Sequence, residues 1–179
     1  MSRLPKKILT RLKKIKLLVF DVDGVLTPGD ILVHPDGSES KSFDVRDGIA
    51  IRFAHQAGLQ LGLLSGRFSE AVAQRAQDLG VEICVQGSVG KKPDFLGILE
   101  KLTLTPEEAA YVGDDIVDLP VLRLAGFAAT VADGCPEARE VAHYITRAHG
   151  GHGAAREIIE LVLKAQDRWN GVVQQFLED

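Results

Sequence analysis

Short apolar runs alternate along the chain with segments whose apolar residues recur at helical spacing. In order they are KLLVFDV, GIAIRFAHQAG, LQLGLLSG, RFSEAVAQRAQDLG, VEICVQG, KPDFLGILEKL, AAYVGDD, DLPVLRLAG, FAATVAD, CPEAREVA, HYITRA and AAREIIELVLKAQ. Strands that are apolar throughout, rather than alternately polar, are covered on both faces. Interleaved with amphipathic helices they predict a Rossmann-like α/β fold, a parallel sheet with helices on both faces. One segment breaks the rhythm. Between about 29 and 48, ILVH and SKSF flank the turn PDGS, which predicts a small β-hairpin insertion where a crossover helix is due. The spacing in AAREIIELVLKAQ predicts a core or interface helix, so that a C-terminal helix and tail occupy about 154–179.

Length and composition narrow this to a single domain over residues 1–179. With 45% hydrophobic and 26% charged residues, the chain holds one substantial core and is short for two. A formal charge of −4 argues against a surface for nucleic acid and leaves small anionic ligands open. The first sixteen residues carry seven Lys or Arg and no acid, but no long apolar stretch or small-residue cleavage site follows. The segment reads as a short solvated helix leading into the first strand, with no membrane partner. Cys84 and Cys135 form no CxxC or zinc spacing, which favours a reduced, cytoplasmic setting.

Ligands of open parallel sheets sit beyond the carboxyl ends of the strands. That rule collects Asp21 and Asp23 after LLVF, Ser65 and Arg67 after LGLL, Lys91 or Lys92 after VEICVQG, and Asp114 and Asp115 after YVG. Each has a plain structural reading, since Asp114 or Ser65 would cap a helix and Lys91 would be solvated. Four polar strand ends together point instead to chemistry. Asp21 and Asp114, with a carbonyl near Asp23, are hard oxygen ligands suited to Mg²⁺. A dication explains how such acids stay ionised beside buried strands. Ser65 and a lysine would hold the remaining oxygens of a phosphoryl group.

DVDGV (Asp21–Val25), SGR (Ser65–Arg67), the lysine after QGSVG, and GDDIVD (Gly113–Asp118) resemble the four ordered motifs of the haloacid dehalogenase superfamily. KSFDVRDG (Lys41–Gly48), QGSVGK (Gln86–Lys91), YVGDDIVDLPVL and GGHGAARE (Gly150–Glu157) narrow the resemblance to its 3-deoxy-D-manno-octulosonate 8-phosphate phosphatases. The resemblance implies an enzyme, a phosphoric monoester hydrolase serving lipopolysaccharide precursor synthesis. Asp21 would be the nucleophile and Asp23 the proton donor and acceptor, while Ser65 and Lys91 would bind the phosphoryl oxygens. Asp21, Asp23 and Asp114 would hold Mg²⁺, supported by Asp115 and Asp118. Lys92 competes with Lys91, because it precedes a proline as the equivalent lysine does in other branches. Substrate contacts would fall on Asp44, Val45, Arg46, Asp47, Gly48, Arg52, Arg67, Arg75 and Lys91. The resemblance further implies a fold with no cap domain, and a homotetramer in which hairpins pair and neighbours help close each site. The glycine-rich tail would be a flexible segment reaching toward an active site.

Three rival readings share these residues: a phosphatase for a nine-carbon sialic-acid-type 9-phosphate, a receiver-like phospho-switch, and a catalytically idle partner subunit. A receiver has no use for Asp23, whose role is to hasten hydrolysis. HGGHGAAR lacks the last glycine of a dinucleotide loop, and His149 and His152 have no acid nearby in sequence to complete a metal site.

Overall fold

The computed structural model describes residues 4–177. The first half of the chain forms α1 (Lys6–Leu12), β1 (Leu17–Phe20), β2 (Leu32–Val33), β3 (Glu39–Ser40), α2 (Val45–Gln56), β4 (Gln60–Leu64), α3 (Glu70–Leu79) and β5 (Ile83–Val85). The second half forms α4 (Lys91–Leu102), β6 (Ala109–Val112), α5 (Leu119–Leu122), β7 (Phe127–Thr130), α6 (Pro136–Val141), β8 (Tyr144–Ile145), α7 (Ala154–Ala165) and α8 (Trp169–Gln175). Six strands make one parallel sheet in the order β5-β4-β1-β6-β7-β8. From β1 the chain winds outward to β4 and β5, then returns to β6 on the other side. That reversal opens a crevice beside the end of β1.

β1 shows why its sequence is continuously apolar. Leu18 and Phe20 pack with α2, α3 and α7 on one face, and Leu17 and Val19 pack with α4, α5 and α6 on the other. All four side chains are fully buried. Burying each contributes about 1.5–3 kcal/mol relative to exposure. Helix α7 buries Ile158, Ile159, Val162 and Leu163 against this core.

The hairpin forms, at a shifted register and with a shorter extent than its sequence suggests. Leu32 pairs with Ser40 and Val33 with Glu39, in a two-stranded sheet separate from the main one. Residues 45–48 are not part of it. Asp44 accepts a hydrogen bond from the Arg46 amide (2.7 Å), which starts α2 and draws VRDG into its first turn. The basic α1 is not merely solvated either. Leu12 and Ile15 are buried, and Gln166 donates from Nε2 to both of their carbonyls, at 2.9 and 2.7 Å.

The glycine-rich tail packs within its own chain. The Gly151 amide donates to the Val25 carbonyl (2.9 Å), and a Cβ at Gly150 would overlap the Gly24 carbonyl oxygen. Residues 150 and 151 therefore back the loop that follows Asp21 and Asp23. Asp47 ties the next turn, accepting from the Gly153 amide at 3.2 Å and the Arg156 amide at 2.7 Å, and so caps α7 from another helix. Burial pushes Asp47 up to about 6 despite these two donors. No helix among the described residues is long and apolar enough to cross a membrane.

Candidate active site

The sheet ladder continues one residue past the strands. Asp21 N donates to Val112 O (2.9 Å), and Ser65 N donates to Val85 O (2.9 Å). Phe20 pairs with Leu63 on one side and Val112 on the other, so Asp21, Ser65 and Asp114, one or two residues past these positions, converge at the crevice. They line a cavity of about 190 Å³ together with Asp23, Arg67, Lys91 and Asp115. A hollow of about 360 Å³ beside α1 is larger but lies at the opposite end of the sheet, away from these acids.

One carboxylate oxygen of each of Asp21, Asp114 and Asp118 falls in a cluster whose ligand atoms lie within 4.8 Å of one another. Asp118, fully buried, is saturated with donors. Its Oδ1 accepts from Lys91 Nζ (2.6 Å) and Tyr111 Oη (2.6 Å), and its Oδ2 from the amides of Asp114 (3.0 Å) and Asp115 (3.2 Å). Lys91 Nζ also lies 2.8 Å from Asp21 Oδ1. One ammonium thus serves two carboxylates. Burial alone would lower the Lys91 pKa, but Asp21 and Asp118 outweigh it and raise it. The acids remain under-compensated: burial and then the Asp118 charge push Asp21 up to about 6, and burial with Asp21 and Asp118 pushes Asp114 to about 8.

Asp114 Oδ1 is buried and has no hydrogen-bond partner. An orphaned oxygen beside a second carboxylate whose charge is resisted is a donor set that fits a small hard cation. Gly24 permits this closeness. It adopts φ +88°, and a Cβ there would overlap the Asp114 carboxylate.

Lys91 is buried and central, whereas Lys92 is exposed. Lys91→Met is expected to reduce turnover by about 10²–10³-fold, since it removes a preorganised cation from the cleft. Lys92→Met should leave steady-state kinetics near the wild-type values.

The structure redistributes several of the predicted positions. The Asp23 carboxylate stands outside the acid trio and is engaged instead by Lys41. Asp115 caps the turn at 116–118, accepting from the Ile116 amide (2.7 Å), and so stands at the rim rather than under the cation site. Arg67 lines the cleft and donates to Glu39 Oε2 (3.0 Å). Asp44, Val45, Arg46, Asp47, Gly48, Arg52 and Arg75 do not line the cleft within this chain. Asp44 pairs with Arg46 (2.6 Å), Arg46 reaches the His152 carbonyl (3.1 Å), and Val45 and Arg52 are exposed on α2. Arg75 stacks over the Phe43 ring at 5.6 Å, close against Gly48. The α2 start and the glycine-rich tail hold these groups beside the loop that follows Asp21 and Asp23 rather than in it.

Tyr111 and Lys41 are the residues that sequence reasoning missed. A tyrosine inside the wholly buried strand AAYV needs a partner for its hydroxyl, and the fold supplies it as Asp118. Lys41, between two serines near a turn, reads as solvated, yet its side chain is fully buried against Asp23.

A profile of the haloacid dehalogenase-like hydrolases matches residues 38–126. The 3-deoxy-D-manno-octulosonate 8-phosphate phosphatase of Escherichia coli K12 is 41% identical over 161 residues, 90% of this chain and 86% of that one. The chain belongs to the haloacid dehalogenase-like hydrolases. Among solved structures, this hydrolase is similar to the Moraxella catarrhalis 3-deoxy-D-manno-octulosonate 8-phosphate phosphatase, seen with a magnesium ion, a phosphate ion and a KDO molecule. The TM-score is 0.94 at 39% identity, covering 97% of this chain and 99% of that one. The cobalt-bound deoxy-D-mannose-octulosonate 8-phosphate phosphatase of Haemophilus influenzae superposes with a TM-score of 0.85 at 37% identity, covering 88% and 92%. Like the fold the sequence predicts, this hydrolase has a hairpin and, among the described residues, no separate cap domain.

Proposed function

We infer that this hydrolase is a Mg²⁺-dependent phosphatase that converts 3-deoxy-D-manno-octulosonate 8-phosphate to the free sugar acid and phosphate. The observation that carries the reaction type is the meeting of Asp21, Ser65, Lys91 and Asp114 in one crevice at the sheet's carboxyl edge. The substrate rests on relatives that carry that activity in their names at about 40% identity over most of the chain.

In this reading Asp21 and Asp114 hold Mg²⁺, which neutralises phosphoryl charge when bound. Lys91 fixes the Asp21 carboxylate, and with Ser65 it receives the other phosphoryl oxygens. An Asp21 oxygen bonds to phosphorus as the ester P–O bond breaks. The departing sugar oxygen takes the bond's electron pair and a proton from Asp23. Asp23, now ionised, takes a proton from a water molecule, whose oxygen attacks phosphorus and frees Asp21. A receiver-type switch would not need that second acid, so the presence of Asp23 favours the hydrolase.

The hairpin favours a homotetramer. β2 exposes Leu32 at 62% and Val33 at 67%, on a two-stranded ribbon that is marginal in water by itself. A neighbour docked there would also bring further groups toward the cleft, which accounts for substrate positions such as Arg46 and Arg75 lying outside it. Unpaired cysteines and the lack of a membrane-crossing helix among the described residues support a cytoplasmic setting.

Phosphate release should be measured with Mg²⁺ over a panel of sugar-acid phosphates, alongside sedimentation of the same preparation. The expected result is kcat/KM about tenfold or more in favour of the eight-carbon over the nine-carbon ester, from a tetramer. Preference for the nine-carbon acid would overturn the substrate, and a monomer the assembly.

A further inference from the structure

Four charged side chains from three separate segments close a ring at the mouth of the cleft. Lys41 Nζ is hydrogen-bonded to Asp23 Oδ1 and lies 3.8 Å from Glu39 Oε1. Glu39 Oε2 accepts from Arg67 Nη2 at 3.0 Å, and Arg67 Nε stands 3.9 Å from Asp23 Oδ2. Charges alternate around this circuit, and two of the four corners come from the hairpin. The Lys41 side chain is fully buried, whereas Arg67 is half exposed. A desolvated ammonium is costly unless its partner is fixed, so Lys41 and Asp23 hold each other in one geometry.

The two residues the hairpin grips are both cleft-lining, Asp23 and Arg67. Lys41 and Glu39 themselves stay outside the cavity. They act through the side chains they hold, and ordinary loop packing does not require a buried lysine for that. We propose that the hairpin is a positioning element for catalysis, in which Lys41 aims the Asp23 carboxyl at the leaving oxygen and Glu39 aims Arg67 at the substrate. Glu39 Oε1 and the Ser69 hydroxyl lie buried beside the ring. The proposal rests on the phosphatase reading for its chemistry. Its geometry is independent of that reading.

Leaving-group dependence separates positioning from general loss of structure. A sugar alkoxide must be protonated as it departs, whereas an aryl phosphate releases a weakly basic phenolate that departs without a proton. In the full-length protein with Mg²⁺, Lys41→Met should lower kcat for the sugar-acid phosphate about a hundredfold more than kcat for p-nitrophenyl phosphate, with Lys41→Arg restoring part of the difference. Glu39→Gln should raise KM for the sugar-acid phosphate about tenfold while moving its kcat less. Equal losses on both esters, or no loss on either, would overturn the proposal. Amide hydrogen exchange over residues 22–27 provides a readout that needs no turnover. Faster exchange in Lys41→Met than in wild type is expected, and unchanged exchange would contradict the role of Lys41. Wild-type protein inert toward both esters would instead remove the phosphatase reading, with the exchange result still deciding whether Lys41 orders this loop.

Discussion

Asp21→Asn is expected to reduce turnover of the sugar-acid phosphate by roughly 10⁴-fold or more while leaving the protein folded. The amide keeps the size of the carboxylate but cannot form the covalent phosphoryl bond, so the two-step route is lost rather than slowed. Stability should not fall with it. In the metal-free protein Asp21 shares one ammonium with Asp118, and burial together with that second acid pushes Asp21 up to about 6. Replacing it with a neutral group relieves repulsion within the trio, and Lys91 retains its 2.6 Å contact to Asp118. Thermal unfolding and steady-state kinetics on the same sample check both halves. A variant with wild-type turnover would mean that another group attacks phosphorus.

Removing Mg²⁺ is the second large effect. Chelation should reduce turnover to background and re-addition should restore it, because Asp21 and Asp114 otherwise carry adjacent charge that burial resists. The pH dependence of stability follows from Asp114, which moves from an ordinary 3.8 to about 8. A carboxyl whose folded pKa exceeds its unfolded value holds its proton more tightly when folded. Its contribution therefore favours folding at low pH and is lost as pH rises from about 4 to about 8. Metal-free protein should thus lose stability across that window. Mg²⁺ binds the ionised acids, so saturating metal should raise Tm by roughly 5–10 °C at pH 8 and by less at pH 6. Asp114→Asn should raise the metal-free Tm at pH 8 and abolish the response to Mg²⁺. A metal response that is equal at both pH values would contradict Asp21 and Asp114 as the binding site.

The parts of this molecule legible in its sequence are those where one segment carries its own constraint. LLVF reads as a central strand because it is apolar on both faces, and LQLGLL, AAYV and FAAT follow the same rule. Their carboxyl ends then locate Asp21, Ser65 and Asp114 without further information. What stayed hidden depends on segments meeting across the fold. No local pattern reveals that Lys41 reaches Asp23, that Tyr111 meets Asp118, or that Asp47 caps α7 more than a hundred residues later. The α1 segment misleads for a related reason: its cations dominate the composition, while Leu12 and Ile15 determine its packing. The resemblance implies a flexible tail, whereas the tail packs within its own chain. Here Gly150 is small so that the backbone can press against Gly24.

The most direct test is mass spectrometry of acid-quenched enzyme during turnover with Mg²⁺ and 3-deoxy-D-manno-octulosonate 8-phosphate. A peptide bearing Asp21 should carry the mass of one phosphoryl group within the first turnover, and the signal should be absent in Asp21→Asn. Full activity with no phosphoryl on that peptide, or with the group on another residue, would contradict Asp21 as the nucleophile.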